Sequence, residues 1–441
     1  MNMRRIKIHI FGLMEKGNIG TLAAQKALIK FLKRIIEVDV SISVSNKSVF
    51  IYYCPEIKEN EIYGPLELRI SSNVIPSHFK WIIFTFLELL ILNFSAIFWS
   101  LYKRVSSRRN VINRMNECDV FIDLNLEKFR GIPISISPEL IKHNPWIIVI
   151  HKIYWSLRIL LTLWYLFLIK GIFKKKLIVG PASFGPFKGL PSLIRLMINF
   201  IFAKFVDLIL IREPLSAKFL NEINVRNYIV VSDIALVDLK RDAKALNPSN
   251  PRLMVGFAPA FIRHTLTKME YENYIEAHVK LIDYLVDEYC CNIILMPSST
   301  DDLVVTNEIV SRIHNRDKVK IIVNDDVDFY ESIIRELDLL VTSRMHPSII
   351  AARNFIPFCS IIYDHKQIGF LRQISLLNYS ILINEITCWS LKTLVDQALQ
   401  NRLKIKEIIE KNLAKIRQSL EIGIEKSIKT LAFDSRSPET T

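Results

Sequence analysis

Short apolar runs alternate with amphipathic stretches along this chain, and they do so in two series. In the first, Ile6–Phe11, Val38–Val44, Ser48–Tyr53, Val120–Leu124, Trp146–Ile150, Leu177–Val179, Leu208–Ile211 and Tyr228–Val231 have the length and β-branched content of strands. Ala23–Ile36 and Ala217–Ile223 instead place apolar residues at helical spacing. The segment Asp242–Pro251, DAKALNPSNP, interrupts the pattern with turn formers. A second series follows, with strands Leu253–Phe257, Asn292–Met296, Val319–Val323, Leu337–Val341 and Phe358–Ile362. Helices Tyr271–Tyr289, Leu303–Ile313, Asp328–Glu336 and Pro347–Asn354 lie between them. Strand–helix alternation of this kind predicts parallel, doubly wound sheets. The chain therefore reads as α/β, with one Rossmann-like domain over 1–245 and a second over 252–400. A charged amphipathic helix, Leu403–Leu431, and a tail occupy 401–441.

Composition narrows the partners. At 441 residues the chain exceeds what one core serves, in keeping with two domains. The net charge of +14 points to an anionic partner. No zinc knuckle, RNP-like strand or recognition-helix pattern accompanies it, so no nucleic-acid partner is expected. Cys54, Cys118, Cys290, Cys291, Cys359 and Cys388 lack metal spacing and read as reduced thiols of a cytoplasmic protein. The first apolar run carries Lys7 and His9 and is too short for a signal peptide. Trp81–Tyr102 is long enough to span a bilayer, but Glu88 would cost roughly 2.5–3.5 kcal/mol at its centre. A single span would also separate Ile6–Phe11 from the strands it pairs with. Helices around 81–102 and 155–173 are therefore expected to lie in the interface of an anionic membrane, flanked by basic and aromatic residues. The competing expectation is a buried helix pair.

The densest chemistry lies in Glu336–Phe370. An apolar strand ends at Thr342, Ser343, Arg344 and His346, and Pro347 suits the first turn of a helix. Arg344 and His346 thus fall at the carboxyl end of a strand, beside free helix N–H groups, where open α/β sheets bind ligands and anions. The Arg344-Met345-His346 turn and the later Tyr363-Asp364-His365-Lys366 resemble the C-terminal signature of polysaccharide pyruvyl transferases. Gly17-Asn18-Ile19-Gly20, Pro181-Ala182-Ser183-Phe184-Gly185-Pro186-Phe187, Arg212-Glu213-Pro214-Leu215-Ser216 and Ser232-Asp233 resemble further elements of that family, in order, across residues 6–372. Two departures stand out. Thr21 replaces a usual Asp, and Asp119–Leu126 lacks the family's Gly-Gly pair, so that loop must differ in shape or in what it holds.

The resemblance implies two domains facing across a cleft in the glycosyltransferase-B-like manner. It also implies transfer of a pyruvyl group from phosphoenolpyruvate to two hydroxyls of a sugar in a polysaccharide, glycan or glycolipid precursor, forming a ketal. Phosphoenolpyruvate is then a co-substrate, and no cofactor or metal is expected. Arg344 is expected to hold the donor's phosphate or carboxylate, and His346 to act as acid or second anion ligand. Arg212, Lys366 and His264, with Arg263 beside it, are further donor-side candidates; pairing with Glu213 or Asp233 is the alternative for Arg212, a solvated charge that for Lys366. Asn18 and Ser183, in turns after strands, are candidates for orienting the acceptor. Asp301 and Asp302 read as caps of the following helix. The expected location is the inner face of the cell membrane, attached peripherally. Two other functions share these features: a nucleotide-sugar-dependent glycosyltransferase and a non-catalytic glycan-binding relative.

Overall fold

The computed structural model describes residues 5–12, 18–35, 38–43, 57–58, 61–63, 117–125, 127–128, 146–187, 189–237, 252–263 and 265–434. The chain forms two compact units. The first comprises Met1–Glu15, Leu32–Val231 and Ile422–Thr441, the second Lys16–Phe31 and Ser232–Glu421. The expected strand Ser48–Tyr53, the apolar segment 81–102, the boundary at 242–251 and His264 lie outside the described residues.

The first unit is built on strands β1 (Ile6–Phe11), β2 (Val38–Ser43), β3 (Ile62–Tyr63), β4 (Val120–Asp123), β5 (Glu127–Lys128), β6 (Lys176–Phe184), β7 (Leu208–Ile211) and β8 (Tyr228–Val230). They pair in parallel in the order β3-β2-β1-β4-β6-β7-β8, with β5 beside β6. Ile8 stands opposite Val40 on one side and Val120 on the other. The chain winds outward from β1 in one direction and from β4 in the other, so the strand order reverses between them. Helices α2 (Trp146–Phe167), α3 (Ser192–Phe205) and α4 (Pro214–Glu222) belong to this unit, whereas α1 (Ile19–Ile35), which connects β1 to β2, belongs up to Phe31 to the second.

One expectation fails in this unit. Trp146–Ile150 is not a strand but the start of α2. Its run WIIVI favours a strand only in isolation; it continues without a turn signal into an apolar stretch of helical length. Part of the apolar segment around 155–173, expected to lie at a membrane surface, is taken up by the core. Ile159, Leu161, Leu163, Tyr165, Leu166 and Ile169 pack with Phe121, Leu177 and Val179 in the unit's own core. Among the described residues no helix is long and apolar enough to cross a membrane.

The second unit holds β9 (Met254–Ala258), β10 (Asn292–Leu295), β11 (Val319–Ile321), β12 (Leu339–Thr342), β13 (Phe358–Ile362) and β14 (Ser380–Leu382). All pair in parallel, in the order β11-β10-β9-β12-β13-β14. The five expected strands are present and β14, only three residues long, is added at the edge. The helices are α5 (Lys268–Tyr289), α6 (Asp302–Arg312), α7 (Val327–Glu336), α8 (Met345–Arg353), α9 (His365–Gln373), α10 (Cys388–Gln400) and α11 (Arg402–Asp434), the last belonging from Ile422 onward to the first unit. A capping box between Thr267 and Glu270 starts α5 three residues earlier than its apolar periodicity suggests. On α11, Ile405, Ile409, Leu413, Leu420, Ile424 and Ile428 form the buried stripe of the expected amphipathic helix. The winding direction reverses between β9 and β12, and ligands of doubly wound sheets bind at the carboxyl ends of strands at such a point.

Candidate functional site

Arg344 follows β12 at this reversal and is the N-cap residue of α8. Its Nε lies 3.1 and 3.0 Å from the two carboxylate oxygens of Asp302, and Nη2 also donates to Asp302 Oδ1. Asp302 is fully buried and further accepts from Phe261 N at 2.9 Å and Ser298 Oγ at 3.1 Å. The carboxylate is thus fully occupied, and it holds one edge of the guanidinium in place. Among the described residues, the other end of the fork meets only hydroxyls at 3.4 Å: Tyr363 Oη from Nη1 and Ser299 Oγ from Nη2. That is long for a hydrogen bond, so this end has capacity for an anion. The Arg344 side chain is 23% exposed. Burial alone disfavours its charged form, but Tyr363 and Asp302 more than offset this and raise its pKa above the ordinary value.

Sequence reasoning missed Asp302. Asp301 makes no side-chain cap of α6, and the Asp302 carboxylate serves Arg344 instead. An acid after β10, beside the strand that begins the unit, was the available signal. Behind the site, Tyr274 Oη accepts from Ala260 N at 3.0 Å and meets Ser343 Oγ at 2.8 Å; burial pushes this phenol's pKa up. Ser343 N bonds Ala258 O at 3.0 Å, which ties the turn to β9.

His346 is the second residue of α8, with Nε2 3.9 Å from Asp233 Oδ2. Its ring packs against the start of α1, so closely that a β-carbon on Gly20 would fall on the ring atoms. Asn18 is drawn to the same place. It forms a bridge with Ser299, and Ile19 N donates to Ser298 O at 3.1 Å. The Asn18 Oδ1 accepts from Thr21 N at 3.1 Å, capping α1. The starts of two helices, α1 and α8, therefore meet at His346, and helix starts favour negative charge.

Lys366 is not on a loop but in the first turn of α9, which Asp364 caps. Its Nζ stands 3.7 Å from Asp364 Oδ2 and its side chain is 13% exposed, so it is not a solvated surface charge. Gln367, one residue on, links this segment to the Arg344 turn. Its amide donates to Ser343 O and Ile361 O at 3.1 Å each, and its carbonyl accepts from Tyr363 N and Asp364 N at 3.0 and 3.1 Å.

In the first unit Ser183 and Arg212, expected in separate roles, are in contact. Ser183 lies within β6, not in a turn, and its hydroxyl accepts from Arg212 Nε at 2.6 Å and donates to Glu213 Oε2 at 2.9 Å. Glu213 also accepts from Ser216 Oγ and lies 3.8 Å from Arg212, so the pairing alternative holds for this buried cation. Beside the segment without glycines, the residue that follows β1 is itself a glycine. Gly12, with φ of 74°, passes so near Asp123 that a β-carbon would come within 2.6 Å of Oδ1. Asp123 in turn accepts from Asn125 N at 3.1 Å.

Residues 26–365 match the family model of polysaccharide pyruvyl transferase. No curated protein matches the chain. Among solved structures it resembles UDP-N-acetylglucosamine 2-epimerase, with a TM-score of 0.56, 14% identity, and coverage of 100% of this chain and 98% of that one. A glycosyltransferase from Rickettsia africae gives 0.54 and 11%, covering 99% and 100%. Anabaena HepE in complex with UDP-glucose gives 0.54 and 11%, covering 97% and 99%. At such identities the likeness is one of fold, the two-domain α/β class of glycosyltransferase-B enzymes and epimerases. The family match is of another kind, since it spans most of the chain and includes the Arg344–His346 turn; the chain belongs to the polysaccharide pyruvyl transferase family.

Proposed function

We propose that the chain transfers a pyruvyl group from phosphoenolpyruvate to a sugar of a glycan or lipid-linked precursor, at the inner face of a membrane. The observation that carries this is the Arg344 fork, fixed on one edge by Asp302 and left with capacity at the other, beside two helix starts. Asp302 offsets the charge of Arg344, so attraction for a phosphate must also draw on the helix starts, His346 and Lys366. In the reaction, a proton adds to the methylene carbon of phosphoenolpyruvate, leaving positive charge at the carbon that bears phosphate. One sugar hydroxyl adds there and loses its proton; a second displaces phosphate and closes the ketal. His346 is assigned the first proton, and Arg344 the departing phosphate or the carboxylate. On the acceptor side, Ser183 has its proton held by Glu213 and so would accept from a sugar hydroxyl, while Asn18 offers its amide N–H groups.

Thermal melting of the full chain with phosphoenolpyruvate, and separately with UDP-sugars, tests the donor. A ligand that binds only the folded state raises the melting temperature. Stabilisation by phosphoenolpyruvate and not by UDP-sugars is expected. The opposite outcome would assign the fork to a nucleotide-sugar diphosphate.

A further inference from the structure

The outer face of α3 has no polar character to match its exposure. The helix buries Ile194, Ile198, Ile201 and Phe202 against the first unit's core. On its other side Leu193 is 68% exposed, Leu196 67%, Phe200 54% and Met197 37%. At helical spacing these four share one arc roughly 100° wide. The arc is continued at its carboxyl end, where Gly171 approaches Phe205 and the next residue, Ile172, is 40% exposed. Exposed cations border it: Arg195 on its flank, Lys204 in the last turn and Lys174 beyond Ile172. The surrounding sequence has a single sign. Leu140–Val206 contains ten Lys or Arg and no Asp or Glu, which is +10 of the chain's +14.

We propose that this face of α3 is the surface that seats the protein on an anionic bilayer, with Leu193, Leu196, Met197 and Phe200 among the acyl chains and Arg195, Lys174 and Lys204 at the headgroups. The proposal rests on and deepens the reading of the chain as a membrane-surface protein, and places the contact on α3. Charge selects the occupant. Two copies meeting through this face would set its exposed cations, Lys174, Arg195 and Lys204, against one another, and a nucleic acid has no use for an exposed apolar arc. An anionic lipid surface satisfies both the apolar centre and the basic border.

The test is flotation of the full chain with phosphatidylcholine vesicles, with and without phosphatidylglycerol. Wild type should float with the anionic vesicles. The Leu196→Glu/Phe200→Glu variant changes only exposed positions and should keep its melting temperature, yet lose binding about tenfold or more. Lys174→Gln/Arg195→Gln/Lys204→Gln should lose only the preference for anionic vesicles and its salt dependence. Trp389→Glu, an exposed apolar residue of the second unit, should bind as wild type. If wild type floats and the double Glu variant floats equally, the α3 face is not the contact. If wild type floats with neither vesicle, the membrane reading itself falls. If the double Glu variant instead converts a lipid-free dimer to a monomer, the face joins two copies and the proposal is overturned.

Discussion

Arg344 cannot be removed without consequence for Asp302. The carboxylate is fully buried, and with the guanidinium gone it keeps only Phe261 N and Ser298 Oγ. Breaking such a pair from one side is destabilising, and the partial exposure of Arg344 reduces the cost to about half of the ~3–5 kcal/mol seen for fully buried pairs. Arg344→Ala is therefore expected to lower both phosphoenolpyruvate affinity, by about tenfold to a hundredfold, and melting temperature. Arg344→Ala/Asp302→Ala should recover part of the stability and none of the affinity. Calorimetry and thermal melting on the two variants separate these effects, and unchanged donor affinity in either would remove Arg344 from the donor site. At His346 two substitutions probe one ring. His346→Asn should lower kcat by about a hundredfold to ten-thousandfold, with a smaller change in donor affinity. Gly20→Ala forces the ring to move, because its new β-carbon would overlap it. It should also lower kcat, although residue 20 bears no titratable group. A Gly20→Ala enzyme with full turnover would mean that the position of the ring does not matter.

Among the elements, α9 shows how an ordinary helix start can organise a site. Gln367 is buried and links four backbone groups across the Ser343 turn and the Tyr363–Asp364 bend. Gln367→Leu keeps the bulk but leaves these groups without their partner, each at a cost of about 1–3 kcal/mol where water cannot replace it. A loss of roughly 3 kcal/mol in urea unfolding is expected, accompanied by a raised KM for phosphoenolpyruvate, because Tyr363 is no longer held beside Arg344. A stability loss with unchanged KM would confine Gln367 to a structural role. This helix was not visible in the sequence, where YDHKQIGF reads as a basic loop: its apolar residues are too few to show a period. Asp302 was hidden for a related reason. An acid at a helix start normally caps, and only the tertiary fold brings Arg344 from 42 residues away to claim it. By contrast, Arg344 and His346 were legible, because a strand end and a helix start specify their surroundings locally.

For the molecule as a whole, two parallel sheets were legible because buried parallel strands are near-continuous apolar runs, and those of β9, β10, β12 and β13 were located within two residues. The same principle misled at Trp146–Ile150, and it could not show which side of α3 faces outward in a helix apolar on nearly every side. The core also contains a titratable group with a consequence for global stability. His278 on α5 is fully enclosed, with Nδ1 2.7 Å from Tyr274 O and its ring edge-on to Tyr274 and Phe257. Burial lowers its pKa to about 4, only partly opposed by that hydrogen bond. Unfolded, it would titrate near 6.5. Between these values the unfolded chain holds a proton that the folded chain does not, so stability falls as the pH is lowered from about 6.5 to about 4 and is unaffected by this group above 7.5. The full loss is on the order of 3 kcal/mol. Whatever its effect at pH 7.5, His278→Leu should flatten the decline through that window, leaving the part due to the other titratable groups. Urea unfolding of both proteins at pH 7.5, 5.5 and 4.5 measures the difference in slope, and equal slopes would show that His278 is already protonated in the folded core or reached by water.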